Sequence, residues 1–157
     1  MSDIGFDFLP YLKSFRNSDI TDLLLTVNRL KTFTNWPFDD IDGAECTSLE
    51  LAKAGFYMTS NDNSAPSTQC VCCLKELTWD EGDIPLEEHL RKMPHCQIAK
   101  VISEKKEIDM TVRDAVSILA MREVSIAVND QLNNDIDMIN AALKYNDDFV
   151  KKTLKKF

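Results

Sequence analysis

Glycine is scarce in this chain of 157 residues, which holds 4, and proline is hardly commoner at 5. So few glycines leave no Gly-rich loop to cradle a nucleotide phosphate. Histidine occurs only at His89 and His95. Once His89 is committed to a metal, as argued below, His95 has no nucleophile partner, and an enzymatic role is set aside. Long hydrophobic runs are missing too: stretches such as residues 23–25 and 118–121 fall far short of the ~20 needed to cross a bilayer. The opening MSDIGFDFLP has neither the basic start nor the apolar stretch of a signal peptide, and the 5 cysteines form an odd set. Both features lead us to expect a reducing intracellular compartment without disulfides.

Positive charge is in short supply as well, with 18 Lys+Arg against 26 Asp+Glu and a net charge of −8. The whole imbalance falls in residues 1–110, and residues 111–157 are neutral overall. An acidic half repels a phosphate backbone, which excludes direct nucleic-acid binding through it and suits basic peptides; the same charge also serves plain solubility.

What is present is a metal-ligand spacing. Cys70, Cys73, His89 and Cys96 stand as Cys-x2-Cys-x15-His-x6-Cys. Three thiolates and an imidazole complete a tetrahedral zinc shell, which holds structure and leaves no open position for chemistry. His95 offers a competing two-Cys, two-His set. Residues six apart on a helix are about 240° out of phase, however, and Pro94 interrupts the helix, so Cys96 is the better fourth ligand. Cys46 and Cys72 read as small buried side chains.

The length suits one compact domain with an extension. Residues 18–33 open with Ser/Asp caps and space Ile20, Leu23, Leu24, Val27 and Leu30 as a helical stripe. Thr47 with Glu50 has the form of a capping box, and Gly55 suits the end of the helix so started. Residues 56–59, 68–72 and 76–79 read as short strands, and Pro85 as a first helical residue. The expected fold is α+β: a small three-stranded antiparallel sheet with short helices around zinc, followed by one long helix. The expected organisation is an extension over 1–17, the zinc domain with its leading helix over 18–99, a linker over 100–110, and the helix over 111–157.

That last segment has no glycine or proline, starts with a Thr111/Asp114 cap and ends in Lys151, Lys152, Lys155 and Lys156. Its apolar positions are Met121, Val124, Val128, Leu132, Ile136, Ile139, Leu143, Val150, Leu154 and Phe157. A continuous helix would extend roughly 70 Å. Such a stripe outruns the small domain and reads as an interface for helices of other proteins, or for a second copy. A helix folded back on its own domain, broken at Asn133 and Asn134, is the alternative.

The string Arg29, Thr32, Phe33, Asn35, Trp36, Pro37, Phe38, then Cys46-Thr47, Gly55-Phe56-Tyr57, the metal ligands, Lys75-Glu76-Leu77, Trp79 and Pro85 with Glu87-Glu88-His89 resembles the baculoviral inhibitor-of-apoptosis repeat (BIR domain). The match spans about residues 27–99. One repeat before a long helix is similar to the survivin-like branch of that family.

The resemblance implies a zinc-bearing adaptor of the chromosomal passenger complex. Its helix would bundle with INCENP and borealin, and its repeat would read the amino-terminal tail of histone three bearing phosphothreonine. Aurora B kinase would thereby be brought to centromeres, and later to the spindle midzone and midbody. The peptide groove implied runs along the third strand: Leu77 and Trp79 cage the first side chain, Asp83 accepts the free amine with Asp80 beside it, and Lys75 and Lys92 face the phosphate. For these residues the local alternatives are a core aromatic at Trp79, solvated lysines, and a cap at Asp83. An inhibitor of apoptosis that binds caspases, or antagonist peptides starting with alanine, is the other function the family implies.

Overall fold

The computed structural model describes residues 19–62 and 64–154. The expected extension over 1–17 lies outside them, as do Lys155, Lys156 and Phe157; of Ile20, Lys152 and Leu154 only the backbone is described. In chain order the elements are α1 (Asp19–Asp22), α2 (Thr26–Leu30), α3 (Ser48–Lys53), β1 (Phe56–Ser60), β2 (Ser67–Cys70), β3 (Glu76–Thr78), α4 (Pro85–Lys92), α5 (Gln97–Glu104), a 3-10 turn (Glu107–Asp109) and α6 (Val112–Leu154). The α+β expectation holds. The three strands form one antiparallel sheet in the order β1-β2-β3, with Phe56 opposite Cys70 and Thr68 opposite Leu77.

The leading helix differs from its expected form: it is two short helices interrupted at Leu23, Leu24 and Leu25. The cause lies in Arg29, whose side chain is 1% exposed. Its guanidinium donates to the carbonyls of Leu23 (2.7 Å), Leu24 (2.8 Å) and Ala52 (2.8 Å) and to Thr26 Oγ1 (2.8 Å). The break supplies carbonyl oxygens that an unbroken helix would have spent on its own ladder. Burial pushes Arg29 down to about 10, with Glu107, 3.6 Å away, opposing. Glu107 in turn accepts the Thr26 amide at 2.9 Å and the Thr26 hydroxyl, so the 3-10 turn is tied to the start of α2.

Thr47 caps α3 by accepting the Glu50 amide at 3.3 Å. The turn after it uses Gly55 at φ +93°, a conformation that side chains disfavour. A Cβ there would also meet Ile98 Cγ2 at 3.0 Å. The core gathers Trp36, Leu51, Phe56, Val71, Ile98 and Ile118 around the sheet. Residues 100–110, expected as a linker, instead contain residues 100–104 of α5, and that helix buries Ile98, Ala99 and Val101. Ile98 and Ala99 join the hydrophobic core from this helix.

Chain contacts divide the protein into two compact units, one running to Arg122 and one from Glu123 onward. The first includes the root of α6. There Asp114 accepts the Thr111 amide (2.8 Å) and Thr111 accepts the Asp114 amide (3.2 Å), a reciprocal cap, and Lys105 joins at 2.9 Å. Ile118 is fully buried and Leu119 nearly so. The second unit is the rest of α6, helical through Asn133 and Asn134 as the continuous-helix expectation has it and without the break of the alternative. Val124, Val128, Leu132, Ile136, Ile139, Leu143 and Val150 are all exposed on it, and Met121, in the first unit, is partly buried. Among the described residues no helix is long and apolar enough to cross a membrane.

Candidate metal centre and groove

Three elements and one turn deliver the four ligands. Cys70 ends β2, Cys73 closes the turn that follows, His89 faces inward from α4, and Cys96 stands at the start of α5. All four are buried and their ligand atoms lie within 4.8 Å of one another. Two of the separations test the fit to zinc. A tetrahedron with Zn–S of about 2.3 Å and Zn–N of about 2.05 Å requires S···S near ~3.8 Å and S···N near ~3.6 Å. Cys70 and Cys96 Sγ are 3.8 Å apart, and Cys73 Sγ lies 3.6 Å from His89 Nε2. The residues fit zinc. His95 is exposed and is not part of the set.

The surroundings orient these ligands. His89 Nδ1 is 2.8 Å from the Ala54 carbonyl, which can only accept, so Nδ1 carries the proton and Nε2 is left to the metal. The Gly55 turn aims that carbonyl, and the Phe56 ring lies 4.5 Å from the imidazole. Burial pulls His89 down, and the sulfurs of Cys73 and Cys96 outweigh it, lifting it to about 9. Burial holds Cys70 well above the ordinary thiol value, whereas hydrogen bonds from Cys70, Cys72 and Cys73 hold Cys96 low. A metal displaces the protons these groups keep, so zinc affinity falls as the pH is lowered.

Behind the ligands, the turn is bonded to the root of α6. Cys72 donates its amide to Cys70 Sγ at 3.3 Å and its thiol to the Ile118 carbonyl at 3.5 Å, and Arg122 donates to the Val71 carbonyl at 2.8 Å. Cys72 and Cys46 are fully buried, as expected of small core side chains. Burial, with Asp83 and Asp80 adding, raises the Cys46 thiol to about 12 and keeps it protonated.

Beside β3 lies a groove of about 810 Å³ whose lining includes Asp62, Lys75, Glu76, Leu77, Thr78, Lys92 and Met93. Of the residues expected at a peptide site, Lys75, Leu77 and Lys92 meet there. Lys92 is 3.5 Å from Glu88, a partner one helical turn earlier that its spacing made readable. Trp79, Asp80 and Asp83 are not in the lining. Trp79 is 4% exposed, donates Nε1–H to Thr68 Oγ1 at 2.8 Å and packs edge-on against Phe56. Asp83 accepts the Asp80 amide at 2.9 Å and so closes its own turn. Asp62, Glu76 and Met93 went unassigned by sequence reasoning, because no spacing rule links a loop, an edge strand and a helix end.

The profile of the family described as "BIR: Inhibitor of Apoptosis domain" matches residues 29–100. The chain is 34% identical over 115 residues to Baculoviral IAP repeat-containing protein 5.2-A of Xenopus laevis, covering 73% of this chain and 70% of that protein. It is 36% identical over 93 residues to Baculoviral IAP repeat-containing protein 5 of Mus musculus, covering 59% and 65%. With Baculoviral IAP repeat-containing protein bir-2 of Caenorhabditis elegans the identity is 42% over 97 residues, 60% of this chain and 31% of that protein, so the chain spans less than a third of bir-2.

Proposed function

We propose, from the premise that the chain belongs to the baculoviral IAP repeat family, that it is a non-enzymatic adaptor of the chromosomal passenger complex. One BIR domain and one long helix divide the labour. The repeat captures the free amino terminus of a phosphorylated histone three tail, and α6 bundles with INCENP and borealin, so that Aurora B kinase is carried to centromeres and then to the midzone and midbody. The observation that carries the peptide half is the meeting of Lys75 and Lys92, from a turn and a helix end, in one groove along β3. β3 is the edge of the sheet, so its backbone can pair with an extended segment while the two ammonium groups face a phosphate. The helix half draws support from the exposed apolar positions of α6, and the closed Cys3His shell supports a structural rather than catalytic metal.

Calorimetric titration with the tail peptide, with and without phosphate, tests the groove. The phosphorylated form should bind at least ~10-fold more tightly, and Lys75→Glu with Lys92→Glu should remove that preference. Equal weak binding of both forms, with tight binding of an alanine-starting antagonist peptide, would favour the caspase-pathway reading instead. For the helix, Leu132→Asp or Ile139→Asp should abolish co-purification with INCENP and borealin while zinc stays at one per chain.

A further inference from the structure

While Lys92 and Met93 at the end of α4 line the groove, the start of the same helix lines a second depression. It measures about 230 Å³ and lies between the end of α3, the start of α4 and α5, with Glu45, Glu50, Ala54, Ile84, Leu86 and Ile102 in its lining. That volume falls short of the ~300–1,000 Å³ of small-molecule pockets, yet a cavity of about 150 Å³ already takes a benzene ring, so this one is sized for a single side chain. Its only lining cation, Lys53, is paired with Glu50 at 2.7 Å. Ile84 is out of place here for stability alone. It takes the N-cap position of α4, at φ −95° and ψ 105°, and makes no side-chain cap bond. Isoleucine is among the poorest residues at that position and serine among the best. Ile84 also leaves 44% of its surface exposed. A helix start that forgoes its cap for an exposed apolar wall breaks a local rule without a local gain, the mark of a contact surface.

We propose that this socket receives one bulky apolar side chain from a basic segment of a partner protein. Ile84, Leu86 and Ile102 supply the apolar walls, and Glu45 and Glu50 supply charge for lysine or arginine flanking the anchor. The surrounding surface has the same sign. Glu87 stands three residues after Ile84, on its side of α4, and is exposed. Glu81, exposed as well, is held beside the socket because its carbonyl accepts the Glu45 and Cys46 amides at 3.0 and 3.1 Å. Four carboxylates against one paired lysine select a basic segment over a neutral or acidic one. The socket lies at the other end of α4 from Lys92 and needs no free amino terminus, so it does not depend on the histone-tail reading.

Heteronuclear NMR of the zinc-loaded full chain, titrated with a pentapeptide blocked at both ends, is the test. The probe has one leucine flanked on each side by lysine and arginine, and the control has serine in place of the leucine. We expect the leucine probe to bind at least ~10-fold more tightly than the control, and more weakly as salt rises. It should shift the amides of Glu45, Ile84 and Leu86 and leave those of Lys75, Leu77 and Thr78 in place. Ile84→Ser restores a good cap, so it should melt close to the parent or above it and yet lose most of the leucine preference. Glu45→Lys should weaken both peptides. No shifts at millimolar leucine probe, equal affinity of the two peptides, or shifts centred on the β3 groove would each overturn the proposal. So would an Ile84→Ser chain that keeps the preference or melts well below the parent, or a Glu45→Lys chain that binds as the parent does.

Discussion

Replacing Arg29 with methionine removes a buried charge but keeps much of the apolar stem, and the structure allows its cost to be worked out. Three backbone carbonyls, of Leu23, Leu24 and Ala52, lose their guanidinium donor. The Leu23 and Leu24 carbonyls are part-buried and the Ala52 carbonyl keeps the Gly55 amide at 3.2 Å, so the cost is that of losing three bonds from a charged donor, at ~2 kcal/mol each about 6 kcal/mol. Against it stands the relief of a charge no longer desolvated. Arg29 is shifted from 12.5 to about 10, which corresponds to roughly 3 kcal/mol. The net expectation is a destabilisation of about 3 kcal/mol, a large part of the 5–15 kcal/mol that a domain of ordinary stability has. Glu107→Gln is the matched control. It retains an acceptor for the Thr26 amide and loses an ion pair whose acidic partner is 35% exposed, so it should cost less than ~1 kcal/mol. Urea unfolding of the zinc-loaded protein measures both, as a shift in midpoint at constant slope. If Arg29→Met falls within ~1 kcal/mol of the parent, or Glu107→Gln costs as much as Arg29→Met, the carbonyl-collecting role is refuted.

Cys73→Ser should abolish stoichiometric zinc and, with it, the cooperative unfolding transition; a folded, zinc-free variant by circular dichroism would contradict a structural metal. Gly55→Ala should destabilise by about 2 kcal/mol in thermal melts, from its positive φ and the meeting with Ile98 Cγ2, and Ile98→Val, which keeps that γ carbon, should not rescue it. Asp114 is held at about 2, below its ordinary 3.8, first by the Thr111 amide and then by Lys105 and the Thr111 hydroxyl. A depressed carboxyl contributes stability that is present above 3.8 and lost as pH falls through about 2, so its NMR titration should have its midpoint near 2 and return towards 3.8 in Thr111→Val. Trp79→Phe leaves the fully buried Thr68 hydroxyl without its indole donor and should cost about 1–2 kcal/mol in urea unfolding while phosphopeptide affinity is unchanged.

The metal set could be read from sequence because three cysteines and a histidine rarely fall at zinc-binding spacing by chance, and Pro94 removed the one rival. The length of α6 was equally legible, since no glycine or proline follows Thr111. Partners distant in the chain were not. The break at Leu23–Leu25 depends on Arg29, which itself depends on Ala52 and Glu107, and no local pattern announces such a cluster. Trp79 shows a different limit. An aromatic beside a groove motif fits a ligand cage and a core equally well by composition, and only its bond to Thr68 and its edge-on contact with Phe56 decide what it touches. Within residues 100–110, expected as a linker, Lys105 pairs with Asp114 and Glu107 with Arg29, and neither partner could be read from the local sequence.

The bonding between the cysteine turn and the root of α6 bears on where the repeat can be cut. The family match ends at residue 100, but Val71 and Cys72 find their partners at Arg122 and Ile118. A fragment stopped at residue 100 would keep every zinc ligand and lose the cover over the turn that joins two of them, Cys70 and Cys73. The Val71 carbonyl would face solvent, and the core positions filled by Ile118 and Leu119 would be open. Such a fragment should bind zinc yet exchange it faster and aggregate through the uncovered face, whereas one ending just past Arg122 should behave as a self-sufficient domain. The minimal autonomous repeat in this protein thus includes three turns of the helix that follows it.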